Sequence, residues 1–269
     1  MHLSPDRPRR SALFVPGSND RALAKAAALP CDMIIVDLED SVRDDGKDGA
    51  RDAAIAALAE GFGRAEAGVR LNLRGTPWHV GDVTAVRASK ATFVVLPKVE
   101  DAVTVATVAR GVERPVLAMI ETPAGVLAAP SIAVACAGLI VGTNDLAATL
   151  QLPPGSGRGG LGFALQAVVL AARAAGVPVL DGVFNRLDDA EGLAAECAEG
   201  RAFGFDGKTL IHPAQIATAN AAFGPTPQEV EEARALIAAF GGGAERFRDR
   251  MIEAMHVAQA RRVLALAGE

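Results

Sequence analysis

Eight times along the chain a short, unbroken apolar run precedes a longer alanine-rich stretch, and this alternation constrains the fold more than any other feature. The runs are Ser11–Gly17 (SALFVPG), Asp32–Asp40 (DMIIVDLED), Val69–Arg74 (VRLNLR), Phe93–Val99, Val116–Thr122, Leu139–Asp145, Val177–Phe184 and Phe205–His212. Their hydrophobicity is continuous rather than alternating, the pattern of strands covered on both faces in a parallel sheet. Helical patterns lie between them at 19–29, 48–60, 78–89, 101–110, 125–136, 160–175 and 188–203. Alanine favours helix, and Ser18-Asn19-Asp20 and Thr76-Pro77 carry helix-start signals. Strand–helix alternation calls for right-handed parallel crossovers. Eight such units in 269 residues predict an α/β fold closed as a (β/α)8 TIM barrel rather than an open sheet, because closure removes the edges.

Two extra C-terminal helices are expected after strand eight, at 226–240 and 247–267, separated by Gly241-Gly242-Gly243. The expected division is a barrel catalytic domain over 1–240 and a C-terminal helical arm over 241–269. Met251, Met255, Ala258, Val263 and Leu266 give the arm an apolar stripe that lies against its own barrel or against a neighbouring subunit.

The net charge of −5 excludes a bulk attraction to nucleic acid or an anionic membrane. No apolar run reaches the ~18 residues of a membrane span. The basic start MHLSPDRPRR is not followed by the apolar region of a secretory signal. Cys31, Cys136 and Cys197 are odd in number and far apart, which reads as buried free thiols in a reducing, cytoplasmic setting.

In a barrel of this kind the reactive groups gather where the strands end. Strand two ends in Asp37, Glu39 and Asp40, and strand three carries Arg70 and Asn72. Strand four ends in Lys98, strand five in Glu121, and strand six in Asn144 and Asp145. Strand seven carries Asp181, and strand eight Lys208 and His212. Nearly every strand is thus expected to deliver an ionisable or polar group to one rim. Glu121 and Asp145, on adjacent strands, form a pair of hard oxygen ligands suited to Mg²⁺ or Mn²⁺, with water and substrate oxygens completing the shell. The alternatives are a capping partner ahead of Thr122-Pro123 for Glu121 and a helix N-cap for Asp145. Gly157–Gly162 matches G-x-G-x-x-G without a preceding strand, and Gly207-Lys208-Thr209 resembles a P-loop end without the earlier glycine, so neither signals a nucleotide. His79 and His212 read as fixed structural hydrogen-bond partners, and His2 and His256 carry no signal. Arg9, Arg10, Lys25 and Lys47 are basic enough to meet nucleotide phosphates, with surface solvation the plainer reading.

These segments together resemble the citrate lyase β-subunit-like family, the CoA-ester lyases related to malyl-CoA lyase on phosphoenolpyruvate/pyruvate-type aldolase barrels. The resemblance runs from Arg10 to about Leu266 through RSALFVPGSN (10–19), IIVDLEDSV (34–42), VRLN (69–72), LPKVE (96–100), MIETPAGV (119–126), GTNDLAATL (142–150), GVPVLDGVF (176–184) and GFDGKTLIHPAQI (204–216). It implies Mg²⁺ held by Glu121 and Asp145, with Arg70 clamping the substrate carboxylate through its planar fork. It places Glu39 and Asp40 against metal-bound waters, and Lys98 beside the substrate. The implied reaction is carbon–carbon cleavage of a 3-hydroxy-carboxyacyl-CoA, such as malyl-CoA or citramalyl-CoA, to a 2-oxo acid and an acyl-CoA. A homo-oligomer, trimer or hexamer, is implied too.

The chain departs from the family pattern in three places. Asn144 stands where relatives often carry an acid, and Phe163-Ala164-Leu165 stands where Tyr-Ala-Arg is common. Glu253 takes the place of an Asp that malyl-CoA-lyase-like members donate to a neighbour's site. Two other readings stay open: a pyruvate-type aldolase acting on a free 2-oxo-4-hydroxy acid, and a non-catalytic subunit of a lyase complex. The DLED of strand two speaks against the free-acid aldolases, which tend to show a His there. Thioester hydrolysis remains an associated activity.

Overall fold

Eight strands pair in parallel in sequence order, and the eighth closes on the first. They are β1 (Ser11–Pro16), β2 (Met33–Asp37), β3 (Glu66–Arg70), β4 (Phe93–Leu96), β5 (Val116–Ile120), β6 (Gly138–Val141), β7 (Val179–Asp181) and β8 (Gly207–Leu210). Around them run α1 (Asp20–Ala26), α2 (Lys47–Glu60), α3 (His79–Arg87), α4 (Ala102–Val112), α5 (Pro123–Ala135), α6 (Thr143–Thr149), α7 (Gly162–Ala175), α8 (Ala190–Phe203) and α9 (Ile216–Phe223). This computed structural model describes Leu3 and residues 7–268, so His2 and most of the basic start lie outside the described residues. The expected (β/α)8 TIM barrel is the fold. No helix among the described residues is long and apolar enough to cross a membrane.

Side-chain parity along each strand decides what each residue does. In β2, Met33 and Ile35 join Ala12, Phe93, Val95, Leu117, Met119, Ile140 and Leu180 in a core that fills the barrel interior. Their neighbours Ile34 and Val36 pack outward under the helices with Val69, Val94, Ala118 and Val141. Gly68 is required inside, because a Cβ there would lie 2.5 Å from the Phe93 ring that fills the same layer. The same alternation turns Asp37, Arg70 and Glu121 inward at the C-terminal end of the barrel. At the start of the strands Arg9 and Glu66 pair at 3.1 Å. Arg9 therefore belongs to the barrel's N-terminal end, and Arg10 is held by Asp32 at 2.8 Å.

Parity also overturns part of the expected rim. Asp181 and Lys208 share the outward face with Val179 and Leu210. Both are fully buried between the barrel and α8 rather than at its mouth. Lys208 Nζ lies 2.9 Å from Asp181 and 2.7 Å from Glu196 of α8. Arg158, on the loop before α7, grips Asp181 with both Nη atoms at 2.8 and 2.9 Å. These charges hold loop, strand and helix together.

After β8 the expected pair of C-terminal helices is present, with an additional helix before it and a hairpin between the two. α9 and α10 (Pro227–Ala239) come first. The segment expected to begin a helix at 247 forms an antiparallel hairpin of β9 (Glu245–Phe247) and β10 (Arg250–Ile252), turning through Arg248 in a left-handed conformation. Arg248 and Arg250 both reach Glu232 of α10, which favours the extended segment over another helical turn. Only then does α11 (Ala254–Ala267) begin. The stripe it buries against α10 runs through Val257 and Ala260, with Val263 and Leu264 partly covered. Of the expected stripe, Val263 is partly covered in this way, while Met251, Met255, Ala258 and Leu266 stay exposed.

Replacing Asp181 by Leu takes the shared carboxylate from two buried cations. Uncompensated buried charge costs about 3–5 kcal/mol. Urea unfolding of the variant is expected to show a loss of that size, and a loss under ~1 kcal/mol would mean that solvent reaches the cluster.

Candidate active site

The mouth of the barrel is organised by one ion pair. Asp37, the last residue of β2, receives Arg70 Nε on Oδ1 at 2.6 Å and Nη2 on Oδ2 at 2.7 Å. The same carboxylate accepts the backbone N–H groups of Glu39 and Ser41 at 2.9 and 3.1 Å. Burial alone would raise the Asp37 pKa, but Arg70 and these N–H groups outweigh it and hold the group below the usual carboxylate range. The guanidinium also stacks 5.0 Å from the Phe14 ring. Its remaining Nη1 faces Glu39 at 2.8 Å and Asp40 at 3.3 Å. Asp37 thus engages two of the three guanidinium nitrogens, Arg70 orders the DLED turn, and Nη1 is the nitrogen turned towards the carboxylates of the mouth. Asp37 was expected at the rim without a role of its own. Its parity with Met33 and Ile35 was the available signal.

Lys47 was also misread as a surface or phosphate-binding group. It is buried at the start of α2, donating to the carbonyls of Leu38 and Glu39 at 2.9 and 2.7 Å, with its ammonium 5.3 Å from the Trp78 ring. It ties down the backbone that presents Glu39. A second brace lies behind β3, where Asp82 accepts from Arg51, from the Asn72 side chain and from the Asn72 backbone at 2.8–2.9 Å. His79 Nδ1 meets the Asn72 carbonyl at 2.8 Å, and His212 Nδ1 accepts the Ala214 N–H, so both histidines serve structure as expected.

Glu121 follows β5 directly and is 1% exposed. Thr122, not Glu121, caps α5 by accepting the Gly125 N–H, so the carboxylate is left for other work. One oxygen accepts the backbone N–H of Lys98 at 2.8 Å. Lys98 reaches that position with φ of +49°, a conformation non-glycine residues seldom adopt outside functional sites. Gly142, at the end of β6, has no room for a side chain, because any Cβ would overlap the Glu121 Cβ and carboxylate. Asp145 sits in the first turn of α6 behind an N-cap at Gly142, so it too is free of the capping role. Asn144 is exchanged with Asn185 in a reciprocal side-chain pair at 2.7 and 3.3 Å.

The electrostatics of the mouth are unbalanced. Burial first, with Glu39 and Asp145 adding repulsion, raises the Glu121 pKa to about 8 despite the Lys98 N–H. Burial likewise raises Glu39 to about 7 although Arg70 opposes it. Burial depresses the Lys98 ammonium, and the combined field of Asp145, Glu39, Asp40 and Glu121 more than reverses this and raises it. Glu39 Oε2 is buried without an aligned hydrogen-bond donor, although Arg70 Nη1 lies beside it. A buried carboxylate of raised pKa beside an unsatisfied carboxylate oxygen suits an added cation. Among the described residues no three His, Cys, Asp or Glu side chains converge as ligands. Glu121 and Asp145 are the carboxylates that could hold a hard cation here, with water and ligand oxygens completing its shell.

Two clefts flank these residues, one of about 490 Å³ beside Lys98 and Arg74, the other of about 580 Å³ beside Asn144 and Arg158. Glu253 lies elsewhere in the chain. It caps α11 reciprocally with His256, and among the described residues it meets none of the mouth residues. Cys31, Cys136 and Cys197 are buried, and burial pushes each thiol up to about 11.

Comparison with known proteins agrees with this architecture. The family described as HpcH/HpaI aldolase/citrate lyase matches residues 10–213, and a C–C bond lyase family of the TIM-barrel fold matches 160–268. A (3S)-malyl-CoA thioesterase of Cereibacter sphaeroides (strain ATCC 17025) is 44% identical over 97% of this chain and 95% of its own. The citrate lyase subunit beta of Escherichia coli K12 is 33% identical over 97% of this chain and 94% of its own. The crystal structure of the CitE protein of Mycobacterium tuberculosis, in complex with magnesium, acetoacetate and coenzyme A, superposes with a TM-score of 0.85. That match has 34% identity and covers 99% of this chain and 100% of that one. With the barrel, the carboxylates at its mouth and these matches over nearly its whole length, the chain belongs to the HpcH/HpaI aldolase/citrate lyase family.

Proposed function

We propose that this chain is a Mg²⁺-dependent enzyme acting on a 3-hydroxy-carboxyacyl-CoA of the malyl-CoA or citramalyl-CoA type, and that it cleaves the carbon–carbon bond beside the hydroxyl-bearing carbon. The observation that carries the reading is Glu121. It is a buried carboxylate of raised pKa with one oxygen fixed by a strained backbone N–H, one strand away from Asp145. Mg²⁺ at that pair would polarise the substrate's carboxylate and neighbouring oxygen. The protein's own groups supply the rest. Glu39, with a pKa near 7, suits the removal of the substrate hydroxyl proton near neutral pH. The C–O bond then becomes the carbonyl of the 2-oxo acid, the carbon–carbon pair moves onto the thioester fragment, and a proton delivered to that carbon gives the acyl-CoA. Arg70 and Lys47 hold Glu39 in place from side chain and backbone.

A second reading, hydrolysis of the thioester of the same substrate, is favoured by the 44% identity to a malyl-CoA thioesterase over nearly the full chain. Glu39 would then activate water instead. A covalent acyl-enzyme on a thiol or a histidine is not supported, because the three thiols are buried and protonated and both barrel histidines are engaged in structural hydrogen bonds.

Incubation with malyl-CoA or citramalyl-CoA and Mg²⁺, with product analysis, tests both. A 2-oxo acid with acyl-CoA supports cleavage, whereas free CoA thiol with the hydroxy-diacid supports hydrolysis. Turnover of a free 2-oxo-4-hydroxy acid alone would overturn the thioester reading, and failure to bind Mg²⁺ would overturn the reading altogether. Glu121→Gln is expected to lower turnover at least a thousandfold, since metal stabilisation of several kcal/mol converts at about 1.4 kcal/mol per decade.

The raised pKa of Glu121 fixes the sign of a pH effect. In the metal-free protein its carboxyl is protonated below about 8, and a cation must displace that proton. Mg²⁺ affinity measured by calorimetry is expected to rise by close to tenfold per pH unit from pH 6 and to level off near pH 8. Proton release should accompany binding below the plateau, and an affinity independent of pH in this window would contradict the assignment. Without metal the folding contribution runs the other way. A carboxyl raised in the folded state costs stability progressively as pH climbs from its unfolded value towards about 8.

A further inference from the structure

Asp145 rides on α6, a helix of seven residues, and a helix so short forms only with outside support. Leu146 is its one buried residue, with Ala147 partly covered beside it. The usual support at a helix start, a Ser, Thr, Asp or Asn at the N-cap, is closed to α6. Its N-cap is Gly142, where a Cβ would lie 2.3 Å from a carboxylate oxygen of Glu121. The room that Glu121 takes thus deprives α6 of a side-chain cap, and the turn carrying Asp145 needs another tether. Asn144 supplies it. Its Oδ1 accepts from Asn185 Nδ2 at 2.7 Å, and its Nδ2 donates to Asn185 Oδ1 at 3.3 Å.

Asn185 is itself well anchored. It follows the buried Phe184 in the loop between β7 and α8. Gln215, the buried residue that opens α9, donates Nε2 to the Phe184 carbonyl at 2.9 Å. The Gln215 Oε1 accepts the N–H groups of Ile211 and His212 at 3.0 and 3.3 Å, which fixes the amide to the end of β8. The same loop presses on α6 directly, since a Cβ at Gly182 would lie 2.5 Å from the Thr143 side chain. Contacts therefore run from β8 through Gln215, the Phe184 backbone and Asn185 to Asn144, the neighbour of Asp145. Amides suit this place. They make two hydrogen bonds without charge, whereas a carboxylate at either position would add to the five already around the mouth.

We propose that Asn185 is a positioning residue, which through Asn144 sets the orientation of α6 and so aims the Asp145 carboxylate at the cation; this rests on Asp145 being a metal ligand, as in the proposed function. Calorimetry with Mg²⁺ is expected to show a dissociation constant raised on the order of tenfold in Asn185→Ala, the scale for losing a partner behind a metal ligand. The Mg²⁺ concentration giving half-maximal turnover should rise in parallel, while kcat at saturating Mg²⁺ is retained because both ligands are intact. Asn144→Ala should reproduce the loss, and the double variant should be no weaker than either single one, since each removes the same pair. Leu187→Ala, an exposed change in the same loop, should bind Mg²⁺ like the parent. A rise under about threefold in Asn185→Ala, additive losses in the double variant, or an equal loss in Leu187→Ala would each overturn the proposal. So would a lowered melting temperature of the metal-free variant with an unchanged Mg²⁺ dependence, the pattern of a merely structural pair. A parent that binds no Mg²⁺ removes the proposed function and this inference together, whereas a parent and an Asn185→Ala variant that bind equally well remove this inference alone. Hydrogen exchange on the unmodified chain needs no variant to fold. Mg²⁺ should slow exchange in peptides covering 143–149 and 183–187 together, and protection confined to the first would overturn the proposal as well.

Discussion

The mouth of this barrel carries more negative charge than its own cations can hold, and much of the surrounding structure answers that excess. Asp37, Glu39, Asp40, Glu121 and Asp145 stand around Arg70 and Lys98, five carboxylates to two cations. Asp37 is relieved by the bidentate guanidinium and two N–H groups and stays ionised. Glu39 and Glu121, buried and less well supplied, are pushed towards neutrality. A divalent cation would remove most of the remaining excess, so the metal-free mouth is arranged electrostatically for one. Gly142 without a side chain, Lys98 in a left-handed conformation and Lys47 beneath the DLED backbone then follow as the local conditions that keep Glu121 and Glu39 where the charge is needed.

Charge at strand ends serves two purposes in the molecule, and the face of the strand separates them. Asp37, Arg70 and Glu121 point into the barrel, where ligands arrive. Asp181 and Lys208 point the other way, are themselves fully buried, and are locked with Arg158 and Glu196. The first group is partly unsatisfied. The second has a partner for each charge, as a stability device must when a lone buried ion is so costly.

Much of this was legible in the sequence, because burial on both faces forces unbroken apolar strands and closure forces eight of them. The strand ends holding Glu39, Asp40, Glu121 and Asp145 could be located for that reason. What escaped depended on orientation rather than position. Asp181 and Lys208 were assigned to the rim by where they fall along the strand, although a parity count against Val179 and Leu210 separates them from it. Arg70 was correctly placed, but its partner was not, because a bidentate pair between adjacent strands depends on register, and Asp37 lies opposite Arg70 only once β2 and β3 are aligned. The C-terminal hairpin had no local signal that outweighed its helical composition. Glu232, far away in sequence, decides it.

On the proposed function, which bond the site breaks turns on what Glu39 faces when substrate is bound. Its position is set from two directions, by Arg70 through the side chain and by Lys47 through the backbone carbonyl, so it has little freedom to serve two geometries. As the proposed base, held this firmly, it would meet either the hydroxyl of the substrate or a water beside the thioester. Carbon–carbon cleavage needs the proton removed from the hydroxyl-bearing carbon's oxygen, whereas hydrolysis needs water at the thioester carbonyl, two carbons further along the acyl chain. A shift of about 1 Å in a reacting group is enough to change rates a hundredfold. Relatives sharing this barrel and its carboxylates can therefore differ in reaction through the seating of the acyl chain alone, without any change in the residues at the mouth.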